Sequence, residues 1–370
     1  MSQFAADAIR RCEQVNGTLN AVVFDMFERA RDEARQPLGD GPFAGVPFLM
    51  KDFVAEIEGV PFTEGSSFLE GYIPHEDSEI YARYRRAGLI TIGKTNSGAV
   101  DINAFTFLDP VTIQGAAITV TALQAGANNI TLTSTAAIDE AADDTTVDIT
   151  TSATLSLTAE GAIGATGGSG PLDLTVGTLV ATTDAGGIFL LESSALIIGG
   201  TGVQTTDNNA AIEITLTAGD LTLQDDITAN GSGTVTLAVL GADASLITGD
   251  TNDDIASTSG AISITADRLA LVGGTISSSG ALTLQPNATD ESIGVSGGAG
   301  NFALSTAEID LLTNGFSSIT IGRSDSTALM TINADTFLDP ITFRMGGVSG
   351  DITTVGALVT SNLAMTFTAG

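Results

Sequence analysis

A single lysine at the end of an apolar run is the residue of this chain best placed for chemistry. Lys51 follows Val46–Met50, a short apolar run between glycine and proline residues that predicts a buried strand. A lysine acts as a general base only when burial lowers its pKa, and it then activates a serine hydroxyl within hydrogen-bond reach. On spacing alone, an ordinary solvated lysine at a strand end is the alternative. Lys51 therefore indicates serine–lysine chemistry only if serines are supplied elsewhere.

A matching serine is difficult to find in the rest of the chain. Ser169 lies between glycines in "GATGGSGPLD" (164–173), but it is the single serine of that stretch, and strand-like repeats surround it. We predict that Ser169 is not a nucleophile. The single Cys12 excludes an intramolecular disulfide framework, and we interpret it as a small helix residue.

Three acidic clusters offer the oxygen ligands that suit calcium, namely residues 139–148, 207–213 and 249–258. The nonapeptide calcium repeat, however, requires G-G-x-G-x-D in tandem. Residues 167–173 have the aspartate one place late, and residues 297–304 lack it. We therefore interpret the three clusters as solvated loops, and we predict no metal and no cofactor.

The first hundred residues have an α/β pattern that would position Lys51. Two helical stripes, separated at Asn16–Gly17, precede the strand that ends at Lys51. Residues 77–88 begin with a capping residue and end at a glycine, as a helix does, and residues 89–96 predict a second buried strand. The order helix, helix, strand, helix, strand indicates a small α/β segment.

Composition changes abruptly near Ser97. Of the 13 basic residues, 10 lie in residues 1–100 together with 15 acidic residues, which leaves 3 basic and 29 acidic residues in positions 101–370. Net charges of −5 and −26 indicate two parts of separate origin, which we divide into domains 1–97 and 98–370. The acidic part would repel nucleic acid and anionic lipid, so we predict neither as a partner.

The sequence contains conflicting indications of location. No run of 18 residues is free of polar residues, so we expect no membrane span. The first 14 residues, "MSQFAADAIRRCEQ", predict a charged amphipathic helix and not a signal peptide. The first part thus favours the cytoplasm, whereas the repetitive second part is typical of extracellular or cell-surface proteins.

Short strands fill residues 98–370. "INAFTFLDPVTIQ" (102–114) recurs as "INADTFLDPITFR" (332–344), and between the copies short segments such as "IEITL" and "LTL" alternate apolar residues with threonine or serine. Strands this short, roughly 20 residues apart and with few aromatic residues, favour a parallel β-solenoid over a β-sandwich. We predict about 13 coils in a rod of roughly 60 Å.

Three blocks of the first part resemble the amidase signature family. They are "GPFAGVPFLMKD", "TEGSS" (63–67) and "DSEIYARYRRAGLITIGKTN", and the resemblance covers residues 1–97. It implies that Lys51 occupies the position of a catalytic lysine, which works through a bridging serine on a cis peptide bond to activate a second, nucleophilic serine. In that family the two serines belong to a GGSSGG-like motif well downstream, and no such motif follows Ser97.

The second part resembles the repeat region of filamentous-haemagglutinin-like surface proteins. The resemblance rests on "LALVGGTISSSGALTLQP", "LSTAEIDLLTNGFSSITIGR" and "INADTFLDPITF", and covers roughly residues 98–370. It implies a right-handed β-helix with an adhesin-like role and cell-surface or carbohydrate ligands. A polysaccharide-cleaving solenoid is disfavoured, because this part has three arginines and no Tyr, Trp or His.

Three hypotheses follow. The first is a mainly β protein, a parallel solenoid with an adhesin-like role that is preceded by a truncated, inactive amidase-like segment. The second is an amidase that hydrolyses carbon–nitrogen bonds through a Ser-cisSer-Lys mechanism. The third is an artificial junction near Ser97, which a single sequencing read across codons 95–100 would test.

Overall fold

The protein divides into two compact units. The computed structural model describes residues 3–19, 21–36, 41–52, 55–63, 69, 71–95, 100–102, 104–166, 170–207, 209–251, 253–360 and 363–370. The first unit comprises Met1–Phe105 and Gln114–Thr119, and the second comprises Thr106–Ile113 and Val120–Gly370.

The first unit has an α/β core built on a three-stranded sheet. Its helices are α1 (Gln3–Leu19), α2 (Phe27–Glu33) and α3 (Glu79–Arg86), and the strands of the sheet are β1 (Val22–Asp25), β2 (Pro47–Lys51) and β3 (Ile90–Thr95). The strand order is β1-β3-β2, with the central β3 antiparallel to β1 and parallel to β2. None of the helices described here or below has the length and apolar composition needed to cross a bilayer.

The predicted break at Asn16–Gly17 is wrong. Helix α1 continues to Leu19, and a strand follows it in place of a second helical stripe. The side chain of Asn16 explains the difference. Its Oδ1 accepts from the Val22 amide at 2.7 Å and its Nδ2 donates to the Val22 carbonyl at 2.8 Å, so a residue that often marks a turn holds the start of β1 against the end of the helix.

In the residues described from position 100 onward, the regular elements are strands, most of them short, and one short helix, α4 (Thr306–Ile309). The strands are β4 (Val100–Ile102), β5 (Phe105–Thr106), β6 (Val111–Gly115), β7 (Ile118–Val120), β8 (Leu123–Gln124), β9 (Ile130–Ser134), β10 (Ile138–Glu140), β11 (Ile149–Ala159), β12 (Leu172–Thr183), β13 (Ile188–Glu192), β14 (Leu196–Thr205), β15 (Ile212–Leu216), β16 (Leu221–Leu223), β17 (Ile227–Ala229), β18 (Val235–Val239), β19 (Ser245–Thr248), β20 (Ile255–Ser257), β21 (Ile262–Thr265), β22 (Arg268–Leu271), β23 (Ile276–Ser277), β24 (Ala281–Gln285), β25 (Ile293–Val295), β26 (Phe302–Leu304), β27 (Ser318–Arg323), β28 (Leu329–Phe337), β29 (Ile341–Met345), β30 (Asp351–Thr360) and β31 (Met365–Ala369). The predicted parallel β-solenoid is confirmed, with about ten turns.

One apolar ladder shows how the coils of the second unit stack. Equivalent side chains of successive coils lie directly opposite one another in parallel register and point into the core. Members of this ladder are Leu172, Leu190, Ile214, Leu237, Ile264, Leu284, Ile321, Phe343 and Phe367. All except Phe367 are at least 98% buried, so each coil closes the core of the coil before it.

The residues that alternate with the apolar ladder along each strand face outward. On the same strands a half-buried row of hydroxyl side chains runs parallel to the apolar ladder. We call this row the hydroxyl ladder, and its members are Thr236, Ser263, Thr283, Thr320 and Thr342. On the strands that carry the hydroxyl ladder, the period-2 alternation thus separates an inward apolar face from an outward face of polar and small residues.

The coils are longer than predicted, which explains why there are fewer of them. Ladder partners from Ile214 to Leu284 lie 20 to 27 residues apart, but Leu284 and its partner Ile321 are separated by 37 residues. The additional residues form β25, β26 and α4. A capping box between Ser305 and Glu308 closes the start of this helix, so the insertion has its own local structure.

Glycines occupy one corner of successive coils because backbones meet there. A Cβ on Gly260 would lie 1.9 Å from the carbonyl oxygen of Gly233, and a Cβ on Gly280 would lie 2.4 Å from that of Gly260. Neither distance leaves space for a side chain. Glycines at this corner therefore allow the backbones of successive coils to approach closely.

Candidate functional site

Strand β2 places Lys51 at its end, as the sequence predicted. Parallel pairing sets Lys51 opposite Thr95 at the end of β3. The side chain is exposed, whereas the preceding Met50 is 4% exposed. The surroundings of Lys51 therefore lack the burial that a general-base lysine requires. Its role as the catalytic lysine stays a prediction.

The buried amine of this unit belongs to another lysine, Lys94. Its side chain is completely buried, and its Nζ forms an ion pair with Oδ1 of Asp52, which is 3% exposed. The amine also donates to the Pro61 carbonyl at 2.7 Å and lies 4.9 Å from the centre of the Phe62 ring. Thr63 also fixes the position of Asp52. The amide of Thr63 donates to Oδ2 of Asp52 at 3.1 Å, and the hydroxyl of Thr63 donates to the same oxygen at 2.8 Å.

The position of β3 explains why Lys94 is buried. Because β3 is the central strand, both of its edges are paired and its side chains are covered by the unit. A charge in that position requires a partner of opposite sign, and the Asp52 that follows Lys51 supplies it. This pair was missed at the level of sequence, although a lysine within a predicted buried strand is itself a signal that such a partner exists.

The other sequence candidates lie apart from Lys51 or outside the described residues. Ser169, Ser97 and most of "TEGSS" (64–67) lie outside them. Cys12 is half-buried against the apolar core of the first unit, and its pKa is raised by burial and then by the nearby Glu13 carboxylate. These properties agree with the interpretation of Cys12 as a small helix residue, here packed against the apolar core.

In the second unit, three buried carboxyl groups meet. Glu140 ends β10, Asp148 precedes β11 and Asp173 lies in β12. One carboxylate oxygen from each lies within 4.8 Å of the others, and the three residues are only 4–5% exposed. The interpretation of residues 139–148 as a solvated loop is wrong for Glu140 and Asp148, although Asp143 and its neighbours are exposed as predicted. We call Glu140, Asp148 and Asp173 the carboxylate triad.

Parallel register brings the triad together. Ile149 pairs with Leu174, so the preceding residues Asp148 and Asp173 also lie side by side. The Asp148 amide donates to the Asp173 carbonyl at 2.8 Å, and the Asp173 amide donates to Oδ2 of Asp148 at 3.1 Å. Among the described residues, both oxygens of Glu140 and Oδ2 of Asp173 have no hydrogen-bond donor. The sequence could not show this site, because the coil register was unknown.

Burial and nearby negative charges raise the pKa of each carboxyl group in the triad. The pKa of Glu140 is raised to about 8, first by burial and then by the charges of Asp148 and Asp173. Burial is also the main cause that raises the pKa values of Asp148 and Asp173 to about 6. An ordinary carboxyl group has a pKa near 4, so the folded protein binds protons here more tightly than the unfolded chain does.

This difference predicts how stability depends on pH in a chelating buffer. Because the folded pKa values exceed the unfolded ones, the free energy of unfolding rises as the pH falls from about 8 towards 4. We expect the Tm of the solenoid to be roughly 5 °C higher at pH 6 than at pH 8, measured by far-UV circular dichroism with EDTA present.

The variant Glu140→Gln serves as the control for this experiment. It removes the group with the highest pKa, so it should lose most of the Tm difference between pH 8 and pH 6. If the variant and the unmodified protein showed the same pH dependence, other carboxyl groups would be its cause.

The two remaining acidic clusters form no such group among the described residues. In residues 207–213, Asp207 is exposed and Glu213 is half-buried. In residues 249–258, Asp253 is 1% exposed, but one of its oxygens accepts from the amides of Gly249 and Asp250. Asp253 therefore stabilises its own turn, which is a structural role.

The fold and these sites define a mainly β protein, a parallel solenoid that carries an α/β unit at its start. Residues 4–102 match the family model described as Amidase, which confirms the predicted resemblance of the first part. The resemblance of residues 98–370 to filamentous-haemagglutinin-like proteins stays a prediction.

Similar proteins match the same part of the chain. The 6-aminohexanoate-cyclic-dimer hydrolase of Paenarthrobacter ureafaciens is 38% identical over 91 residues, which are 24% of this chain and 18% of the hydrolase. The enzyme of the same description from Pseudomonas sp. (strain NK87) is 37% identical over 91 residues, again 24% of this chain and 18% of the hydrolase. A solved structure of 6-aminohexanoate cyclic dimer hydrolase with substrate is 35% identical, with a TM-score of 0.25, and the match covers 26% of this chain and 20% of that chain. The chain thus spans about a fifth of the length of these relatives.

Proposed function

We propose that this protein is a structural, adhesin-like β-solenoid and that its amidase-like unit does not hydrolyse amides. The observation that carries the proposal is the continuous apolar ladder. Along this ladder the chain from Leu172 onward is stacked as successive coils. A serine–lysine amidase needs two serines close to a buried lysine. Here coils occupy the part of the chain that would supply those serines by resemblance to the amidase family.

The surroundings of the two lysines support inactivity of the first unit. Lys51, which occupies the catalytic position by resemblance, is exposed. Lys94 is buried, but its amine is directed at Asp52 and the Pro61 carbonyl. Neither amine therefore combines the burial and the open position that general-base catalysis needs.

The outer surface of the solenoid supports an interaction role. The hydroxyl ladder repeats one type of donor and acceptor at the spacing between coils, about 4.8 Å. A regular row of hydroxyl groups suits an extended ligand that repeats its own hydroxyl groups, such as a polysaccharide. Each contact would be weak, and affinity would come from many contacts along the row.

One experiment with two readouts tests the proposal. We expect purified protein to be retained on an immobilised cell-surface polysaccharide and to release no product from a simple aromatic amide. Replacement of two ladder residues, Thr283→Lys and Thr320→Lys, should reduce retention, whereas Lys51→Ala should change neither readout.

The second candidate function is amide hydrolysis, which the family match of residues 4–102 favours. Turnover of the amide that disappears in Lys51→Ala would establish it and would overturn the proposed inactivity. If Thr283→Lys and Thr320→Lys left retention unchanged, the hydroxyl ladder would not be the binding surface.

A further inference from the structure

We propose that the carboxylate triad, together with Asp143, binds one calcium ion between successive coils of the solenoid. The proposal rests on the geometry of Glu140, Asp148 and Asp173, whose oxygens lie within 4.8 Å of one another. Two oxygens that bind the same calcium ion at about 2.4 Å are at most about 4.8 Å apart, so the spacing of the three oxygens is compatible with one shared ion.

The unpartnered side chain of Glu140 points to a ligand. Glu140 is 4% exposed, and neither of its carboxylate oxygens receives a hydrogen bond from the described residues. Oδ2 of Asp173 lacks a donor too. Buried carboxylate oxygens without a donor are rare in folded proteins, because water or a protein donor normally satisfies them. A cation at the centre of the triad would satisfy these oxygens together.

Repulsion within the triad requires compensation by a positive charge or by protons. Asp148 and Asp173 lie side by side on parallel strands, an arrangement of like charges that destabilises a sheet. The equivalent position of the next coil is Leu191, so the acidic pair is confined to two coils. The three arginines of residues 101–370 all follow position 267, and two of them pair with Asp243 and Asp325.

Asp143 offers a fourth carboxylate at the open side of the triad. A Cβ built on Gly170 would lie 2.4 Å from Oε1 of Glu140 and 2.6 Å from Oδ1 of Asp143, so these two oxygens are neighbours across the glycine. Gly170 has a φ of +62°, and any side chain there would enter the space between the carboxylates. Asp143 itself is exposed and would complete the coordination from the loop side.

The chemistry of the site favours calcium over other divalent cations. All its donors are carboxylate oxygens, which are hard ligands, and the site contains no cysteine or histidine among the described residues. Calcium accepts six to eight oxygens in irregular geometry, whereas magnesium requires a compact octahedron with ligands at about 2.0–2.1 Å. Three carboxylates at the ends of solenoid strands, with Asp143 from the adjacent loop, suit the larger ion.

The test uses the full chain after removal of metal by EDTA and dialysis into about 0.15 M KCl, which screens weak binding to the acidic surface. Calcium chloride is titrated in a calorimeter, and Tm is measured with and without calcium. We expect one calcium ion per chain and an increase in Tm, because an ion that binds only the folded state stabilises it. Magnesium should bind more weakly.

Glu140→Gln and Asp173→Asn should each weaken calcium binding about tenfold or more, because both remove ligand charge. Glu140→Gln should be more stable than the unmodified protein in EDTA and less stable in calcium. The matched control, Asp290→Asn, also removes one acidic charge at an exposed position and should change nothing.

Three outcomes would overturn the proposal. The first is calcium binding by Glu140→Gln that equals binding by the unmodified protein. The second is weak uptake of many ions with no change in Tm. The third is a Glu140→Gln variant that is more stable both in EDTA and in calcium, since shared protons alone would then relieve the repulsion.

Discussion

Replacement of Asp52 by alanine is expected to destabilise the first unit strongly while the stability of the solenoid stays unchanged. The substitution leaves the ammonium group of Lys94 completely buried, with the Pro61 carbonyl and the Phe62 ring as its remaining partners among the described residues. Removing one partner of a buried ion pair costs about 3–5 kcal/mol. Domains of this size have a total stability of about 5–15 kcal/mol, so the loss is a large fraction.

The distribution of tyrosines makes this result measurable for one unit alone. The chain has three tyrosines, at positions 72, 81 and 84, and no tryptophan. All three lie in the first unit, and Tyr81 is completely buried there. Near-UV circular dichroism of tyrosine therefore reports the first unit, whereas the far-UV signal is dominated by the strands of the solenoid. In a thermal scan, Asp52→Ala should lose the tyrosine signal at a lower temperature than the unmodified protein, while the far-UV transition stays unchanged.

Two further variants separate the ion pair from other effects. Asp25→Ala makes the same change at an exposed position and should leave the tyrosine signal unchanged. Asp52→Ala combined with Lys94→Met removes both charges and should restore much of the lost stability, because an apolar pair often replaces a buried ion pair without loss. If Asp52→Ala melted like Asp25→Ala, the ion pair would not be what holds this unit together.

Leu237→Ala is expected to cause a large loss of stability in the solenoid. Leu237 is completely buried between its ladder partners Ile214 and Ile264. Truncation of a buried leucine to alanine costs about 2–5 kcal/mol, because apolar contacts are lost and a cavity remains. The coils above and below cannot move together without breaking their own backbone register. For a unit of this size, the Tm measured in the far-UV should fall by roughly 5–15 °C.

The neighbouring residue provides the matched control for this prediction. Thr236→Ala lies on the same strand, in the half-buried hydroxyl ladder, and should change Tm by only a degree or two. Equal effects of the two substitutions would show that the inward and outward faces are not distinct. They would also contradict the assignment of Leu237 to a continuous core.

The solenoid could be predicted from the sequence because its strands carry a local signal. "IEITL" (212–216) and "LTL" (282–284) alternate strictly between apolar residues and threonine or a charged residue, and they lie in β15 and β24. The coil length was underestimated, because the residues between Leu284 and Ile321 form additional elements whose pattern resembles that of an ordinary coil. Period-2 alternation fixes the face of each residue but not the number of residues per coil.

The two charged sites were not predicted, for a related reason. The partners Asp52 and Lys94 are brought together by the pairing of β2 with β3, and Asp148 and Asp173 by the pairing of β11 with β12. Each contact joins residues 25 or more positions apart in the sequence. Only the register of parallel strands shows which acidic residues are buried together and which are solvated.

The contrast between the two lysines gives the first unit a built-in chemical reporter. Lys51 and Lys94 are the only lysines of the chain, and one side chain is exposed whereas the other is completely enclosed. An amine-reactive ester would therefore acylate Lys51 in the native protein and reach Lys94 only when the surrounding sheet opens. The mass of the peptide that contains Lys94 would then record how often that opening occurs.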